Sequence, residues 1–342
     1  MTIPRETLGE SPAATNGGGL YFASAPKEEF FPSGCTLLNC VLGGGWRENR
    51  VINVVGDKST GKTLLAIEAA ANYRRKYPKA PIRYVEVEAA FDIEYGRSIG
   101  LPKDRVIFPN EKELKLATVE DVFRDLERVA EKGERSLYIV DSLDALSDEA
   151  EVGREVGEGT YGASKAKQMS ALFRKINAKL AEAKTTVFII SQVRDAIGVT
   201  YGKKTTRSGG RALDFYASQI LWLTHLKRLM RTRKGITRPY GVLVKAQAEK
   251  SKVGMPFRDC EFPIYFTYGM EDVVACVNWL REIKRAGEVF KSDAEAEKFL
   301  ERLERLTPEE YRTEGKRIRT AVRAIWAESE KGFVTTRRKY DG

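Results

Sequence analysis

The residues with the plainest chemical meaning are GDKSTGKT, Gly56 to Thr63, set between an apolar run, VINVV, and a strong helix former, TLLAIEAAANYRRKY. Glycines at 56 and 61 let backbone N–H groups turn inward across Asp57, Lys58, Ser59 and Thr60. The helix that starts next adds its positive end, so the stretch is a cradle for phosphates. In this pattern Lys62 reaches the β- and γ-phosphates of a nucleotide, and the Thr63 hydroxyl is placed to ligate Mg²⁺.

A second element has the same theme. SLYIVDS is a buried apolar strand that ends in Asp141, followed by Ser142. An acid there can hold the water shell of a magnesium ion. VEVEAAF offers two further carboxylates, Glu86 and Glu88, on one face of a strand. Either can orient and polarise an attacking water, and residue chemistry alone leaves both open.

Other chemistries are excluded by what is scarce. His225 is the only histidine, which removes a His-based zinc site or catalytic triad. The four cysteines, Cys35, Cys40, Cys260 and Cys276, show no CxxC spacing and read as reduced core residues of a cytoplasmic protein. No apolar run approaches the roughly 18 residues of a membrane span, so no membrane partner is expected. The net charge of +10 points to a polyanion, with nucleic acid ahead of a membrane surface.

The elements that must position these residues are read from periodicity. VINVV, IRYVEVE, SLYIVD and TTVFIIS are nearly continuous in apolar character, as strands covered on both faces are. Between them lie the helix after Lys62, TVEDVFRDLERVAEK with a Thr118/Asp121 cap, and a third helix over Gly162 to Ala183. QILWLTHLKRLM, GVLVKAQAE and EFPIYFTY then read as a meander. The fold class is α/β: a mainly parallel twisted sheet with helices on both faces. Residues 1–30, rich in Gly, Pro, Ser, Ala and Thr, read as a flexible arm or a docking segment on a neighbour. Residues 31–270 form the core, and 271–342 a small, basic helical region opened by caps at Ser292 and Thr307.

One stretch fits none of these elements. QVRDAIGVTYGKKTTRSGG, Gln192 to Gly210, is too long for a connection and too apolar at Ile197, Val199 and Tyr201 for a solvated one. Its cations Arg194, Lys203, Lys204 and Arg207, with Arg211 just beyond, can neutralise backbone phosphates. Gly209 and Gly210 permit close backbone approach.

Taken in order, these motifs resemble the RecA-type recombinases, including their bacteriophage UvsX-like relatives. GDKSTGKT resembles that family's phosphate loop and LYIVDSLDALSDEAE its second nucleotide-binding strand. VEVEAAFDIEYGRSIG resembles the segment with the catalytic glutamate, which implies Glu88 rather than Glu86. It also implies adenine contacts from Asp92 and Tyr95. EVGREVGEGTYG resembles the first DNA-binding loop, about 152–164 with Arg154. IISQVRDAIGVTYGKKTTRSGGRALDFYAS resembles the second, 192–210, in which Gln192 would sense the γ-phosphate and Ile197 would wedge between bases. EKSKVGMPF implies that Lys250 and Lys252 reach ATP held by a neighbouring subunit.

The resemblance therefore implies a RecA-type P-loop ATPase core and a DNA-dependent ATPase using ATP and Mg²⁺. It would form helical filaments on single-stranded DNA and exchange strands with homologous duplex DNA in recombination and repair. Single-strand-binding and mediator proteins are implied as further partners. The pattern departs from the family at Asp214, where a lysine is usual, and in the absence of an acidic tail. Two other readings use the same core: a RecA-like accessory protein without strand exchange, and a hexameric replicative helicase-type motor.

Overall fold

The computed structural model describes residues 28–87, 92–101, 106–109, 116–147, 149, 162–195, 205–207 and 210–337. A ten-stranded sheet organises them. Its parallel part comprises β3 (Val51–Gly56), β4 (Ile82–Glu86), β5 (Val106–Ile107), β6 (Ser136–Asp141) and β7 (Thr185–Asp195), and reaches β9 (Gln219–Arg233). An antiparallel flank adds β10 (Ile236–Ser251), β11 (Asp259–Tyr265) and β12 (Gly269–Met270). The order across the sheet is β12-β11-β10-β9-β3-β7-β6-β4-β5, and β8 (Thr205–Arg207) pairs separately with β7. A small antiparallel pair, β1 (Phe30–Phe31) with β2 (Trp46–Arg47), precedes it.

Side chains alternate strictly between two apolar layers. On one face Ile52, Val54, Tyr84, Ile139, Phe188 and Ile190 pack with Leu65, Ala69 and Tyr73 of α2 (Lys62–Lys76) and with α1 (Thr36–Val41). The same layer takes in Val277 of α7 (Asp272–Glu282), Phe299 of α8 (Asp293–Arg302) and Val322 of α9 (Pro308–Lys331). On the other face Val51, Val55, Val85, Tyr138, Val140 and Ile189 pack with Phe123 and Leu126 of α4 (Val119–Glu131). Phe173 of α5 (Gly162–Glu182) and Leu213 of α6 (Gly210–Tyr216) complete that layer. Two-faced cover is why the central strands read as continuous apolar runs. Each fully buried large apolar side chain contributes about 1.5–3 kcal/mol, so this double layer is the main source of stability.

The caps act as their residue types require. Thr118 and Asp121 form a reciprocal capping box on α4, as do Thr307 and Glu310 on α9, with Pro308 at the first helical position. At α8 only half the expected box forms. Ser292 accepts from Glu295 N, while the Glu295 carboxylate reaches one residue further back, to the N–H of Lys291 at 2.6 Å.

Two strands run further than their sequence suggests. β7 continues through Gln192 to Asp195, and Val193 to Asp195 pair antiparallel with Thr205 to Arg207. The expected 192–210 loop is thus strand at both roots, because β8 satisfies main-chain groups that its mixed side chains do not announce. The β9–β10 ribbon also extends beyond the helical cover, leaving Leu226, Met230 and Ile236 exposed.

Candidate functional site

Four predicted residues meet at the carboxyl edge of the parallel strands. Gly56 ends β3 and is paired in register with Gln192 of β7, and Glu86 ends β4 beside Asp141 of β6. Ligands of open α/β sheets bind beyond this edge. There GDKSTGKT leaves β3 and becomes α2 at Lys62.

The loop closes on one main-chain oxygen. Asp57 O accepts from Thr60 Oγ1 at 2.9 Å and from Lys62 Nζ at 2.7 Å. Lys58 N donates to Asp57 Oδ1 at 2.7 Å. Two glycines are required by space and backbone angle. A Cβ on Gly56 would stand 2.5 Å from Thr60 Oγ1 and 3.0 Å from Leu223 O. Gly61 has φ +87°, and its Cβ would stand 2.5 Å from Ile264 Cδ1. Thr60 is buried, whereas Asp57, Lys58, Ser59 and Thr63 are exposed at the mouth of the loop.

Asp141 lies deeper, 7% exposed, and Tyr84 Oη donates to its Oδ2 at 2.8 Å. Burial, then the adjacent Asp141 charge, pushes the Tyr84 hydroxyl well above its ordinary range, so it stays a donor. Ser142 is also buried. Three residues after Asp141, the Asp144 carboxylate accepts from Gln192 N at 2.6 Å, tying the turn after β6 to the root of the 192–210 segment. Sequence reasoning missed Tyr84 and Asp144. Their signals were alternation with Glu86 on one strand face and an acid just past the β6 turn.

Asp92 caps α3 (Ile93–Ser98) by accepting from Tyr95 N at 3.0 Å, and the Tyr95 ring is 38% exposed. Lys250 lies near the end of β10, and its Nζ donates to Asp214 O at 2.5 Å and Phe215 O at 3.0 Å. These carbonyls end α6, where the helix dipole favours a cation. Lys252 is exposed, and burial of its stem with Arg47 and Arg50 nearby holds its pKa below the usual lysine range.

The other expected positions divide. Arg194 stands in β7 and Arg207 in β8, while Gly210 and Arg211 open α6. Glu88, Arg154, Ile197, Lys203, Lys204 and Gly209 lie outside the described residues, as do most of 152–164 and residues 1–27 of the 1–30 arm.

A strand, a glycine-bounded phosphate loop and a helix at the carboxyl edge of a parallel sheet, with an aspartate ending a nearby strand, define the P-loop class of α/β proteins. Within that class, residues 22–271 match the family model described as the RecA N-terminal domain. The chain is 36% identical over 250 residues to Protein RecA of Prochlorococcus marinus strain MIT 9303, covering 72% of this chain and 62% of the relative. It is 35% identical over 253 residues to Protein RecA of strain MIT 9211, covering 73% and 65%. The chain belongs to the RecA family. The match spans somewhat under two thirds of those relatives' length.

Proposed function

We propose that the chain is a DNA-dependent ATPase that forms filaments on single-stranded DNA and catalyses homologous pairing and strand exchange. The observation that carries this reading is the phosphate loop at the same sheet edge as Asp141 and Gln192. The root of a basic, glycine-containing segment leaves from Gln192.

ATP would lie on Gly56 to Thr63, its base near Asp92 and Tyr95. The cradle is bounded by Gly56, where a Cβ would press on Leu223 O, and by Gly61 at φ +87°, and the loop's side chains at its mouth are exposed, as a phosphate site requires. Thr63 and Asp141 fit a hydrated Mg²⁺, the first directly and the second through water. When bound, that ion neutralises charge on the β- and γ-phosphates. Lys62 adds a positive charge to the same oxygens, and Glu88 orients the water that attacks. Such chemistry needs positioning and charge stabilisation more than covalent help.

Gln192 would couple nucleotide to DNA. Its side chain would sense the γ-phosphate while its main chain begins the 192–210 segment, and a contact made only with triphosphate would order that segment. Arg194, Lys203, Lys204, Arg207 and Arg211 would then neutralise DNA phosphates, with Gly209 and Gly210 approaching closely and Arg154 adding from the first loop. Ile197 would unstack bases, which costs a few kcal/mol per step. Lys250 and Lys252 would complete the ATP site of the adjacent copy.

The test is pairing of a single strand with homologous supercoiled duplex in the presence of ATP and Mg²⁺. Joint molecules that require homology support the proposal. Filaments and ATP turnover without joint molecules would favour the accessory reading, to which Asp214 lends some support.

A further inference from the structure

Tyr84 is not among the residues proposed to touch nucleotide, Mg²⁺ or DNA. The ring is fully buried and stacks on Phe108, with centroids 5.4 Å apart and planes 30° apart. Phenylalanine would fill the same space. The hydroxyl donates to Asp141 Oδ2, 2.8 Å away. Strand register explains the meeting: Glu86 pairs with Asp141, and Tyr84, two residues earlier on the same face, reaches forward along the sheet.

A carboxylate turns readily about its terminal bond, since such torsions are broad and two-fold. A rigid buried phenol that donates to Oδ2 restricts that rotation. We infer that Tyr84 is a positioning residue that sets the Asp141 carboxylate for the water shell of Mg²⁺. This rests on the reading that Asp141 serves the Mg²⁺-nucleotide. Groups that orient a metal site from outside it commonly change metal affinity 10- to 100-fold when removed.

The competing account is that Asp141 merely satisfies a buried hydroxyl, a purely structural role. The two separate on Mg²⁺ linkage. The full chain is titrated with a fluorescent ATP analogue in Mg²⁺ and in EDTA, and the ratio of the two affinities is read. Tyr84→Phe should lower that ratio about tenfold while the EDTA affinity, set by the phosphate loop, stays within about twofold. Asp141→Asn should collapse the ratio, and Tyr84→Phe added to it should change nothing further. Phe108→Leu loosens the same ring but keeps the hydroxyl, and should leave the ratio alone.

If Asp141→Asn collapses the ratio and Tyr84→Phe leaves it unchanged, the positioning role is wrong and the Asp141 assignment stands. If Asp141→Asn also leaves it unchanged, that assignment fails and the role of Tyr84 fails with it. A loss in Phe108→Leu equal to that in Tyr84→Phe would assign the effect to packing and overturn the proposal.

Discussion

The phosphate loop and the lysines at the end of β10 each hold an ammonium against main-chain carbonyls, yet in opposite settings. Lys62 reaches Asp57 O within its own loop, between the buried strand β3 and the helix α2. Lys250 crosses from β10 to the last carbonyls of α6, beside Phe215, which is 71% exposed, and beside exposed Lys252. The first is a local structure made by eight consecutive residues. The second is assembled from two elements far apart in sequence and faces outward. On the proposed reading, the contrast would be that of a site with one half complete in each copy and the other half offered to the next.

Breaking the local half should have the largest effect. Lys62→Ala should weaken ATP binding on the order of a hundredfold, since a charge-assisted contact is lost, and abolish ATP-responsive DNA binding in a polarisation assay. Glu88→Gln should leave ATP binding and filament assembly intact and slow turnover by about 10²–10⁴-fold. If Glu86→Gln does this instead, the water-orienting role belongs to Glu86. Breaking the outward half, Lys250→Ala with Lys252→Ala, should lower DNA-stimulated hydrolysis roughly 10- to 100-fold as transition-state charge stabilisation is lost. Nucleotide affinity of dispersed subunits should stay within about twofold if those lysines serve another copy's site.

The smallest effect probes the helix that begins at the loop. Burial pushes the Glu68 carboxyl of α2 up to about 7, with the Met270 amide and Arg75 opposing and Asp272 adding to the rise. Its folded value lies above the ordinary 4.5, so between about pH 4.5 and 7 the native state holds a proton the unfolded chain has released. Its contribution to stability is complete below that window and is lost as pH rises through it. Glu68→Gln should therefore flatten the fall in melting temperature between pH 5 and 8, and an unchanged slope would assign the fall to other groups.

The local half was legible because each of its cues is local. GDKSTGKT after VINVV and before TLLAIEAAANYRRKY specifies strand, turn and helix through glycine placement and apolar period. SLYIVD announces a strand covered on both faces. What the sequence did not announce depends on distant pairing. The order β4-β6-β7-β3-β9 brings Asp141 and Gly56 to the same edge through hydrogen bonds between strands, which no residue pattern specifies. The run of β7 through Val193, Arg194 and Asp195 was hidden for the same reason: its partner β8 lies ten residues downstream or more. Tyr84 looked like one more core aromatic until the register put its hydroxyl on Asp141. Lys250 and Lys252 were found by resemblance, and only the fold supplies the carbonyls on which Lys250 rests.

The claim that two copies share one site is tested most directly by mixing two defective variants on single-stranded DNA. Lys62→Ala lacks the local half and keeps the outward lysines. The Lys250→Ala, Lys252→Ala double variant has the reverse defect. Each alone should hydrolyse almost no ATP. Random co-assembly of equal amounts places a sound local half against a sound outward half at about one interface in four, as a head-to-tail interface requires. The account predicts recovery of about a quarter of the unaltered chain's ATP hydrolysis. A mixture no more active than the sum of its parts, with both variants shown to occupy the same filament, would contradict it.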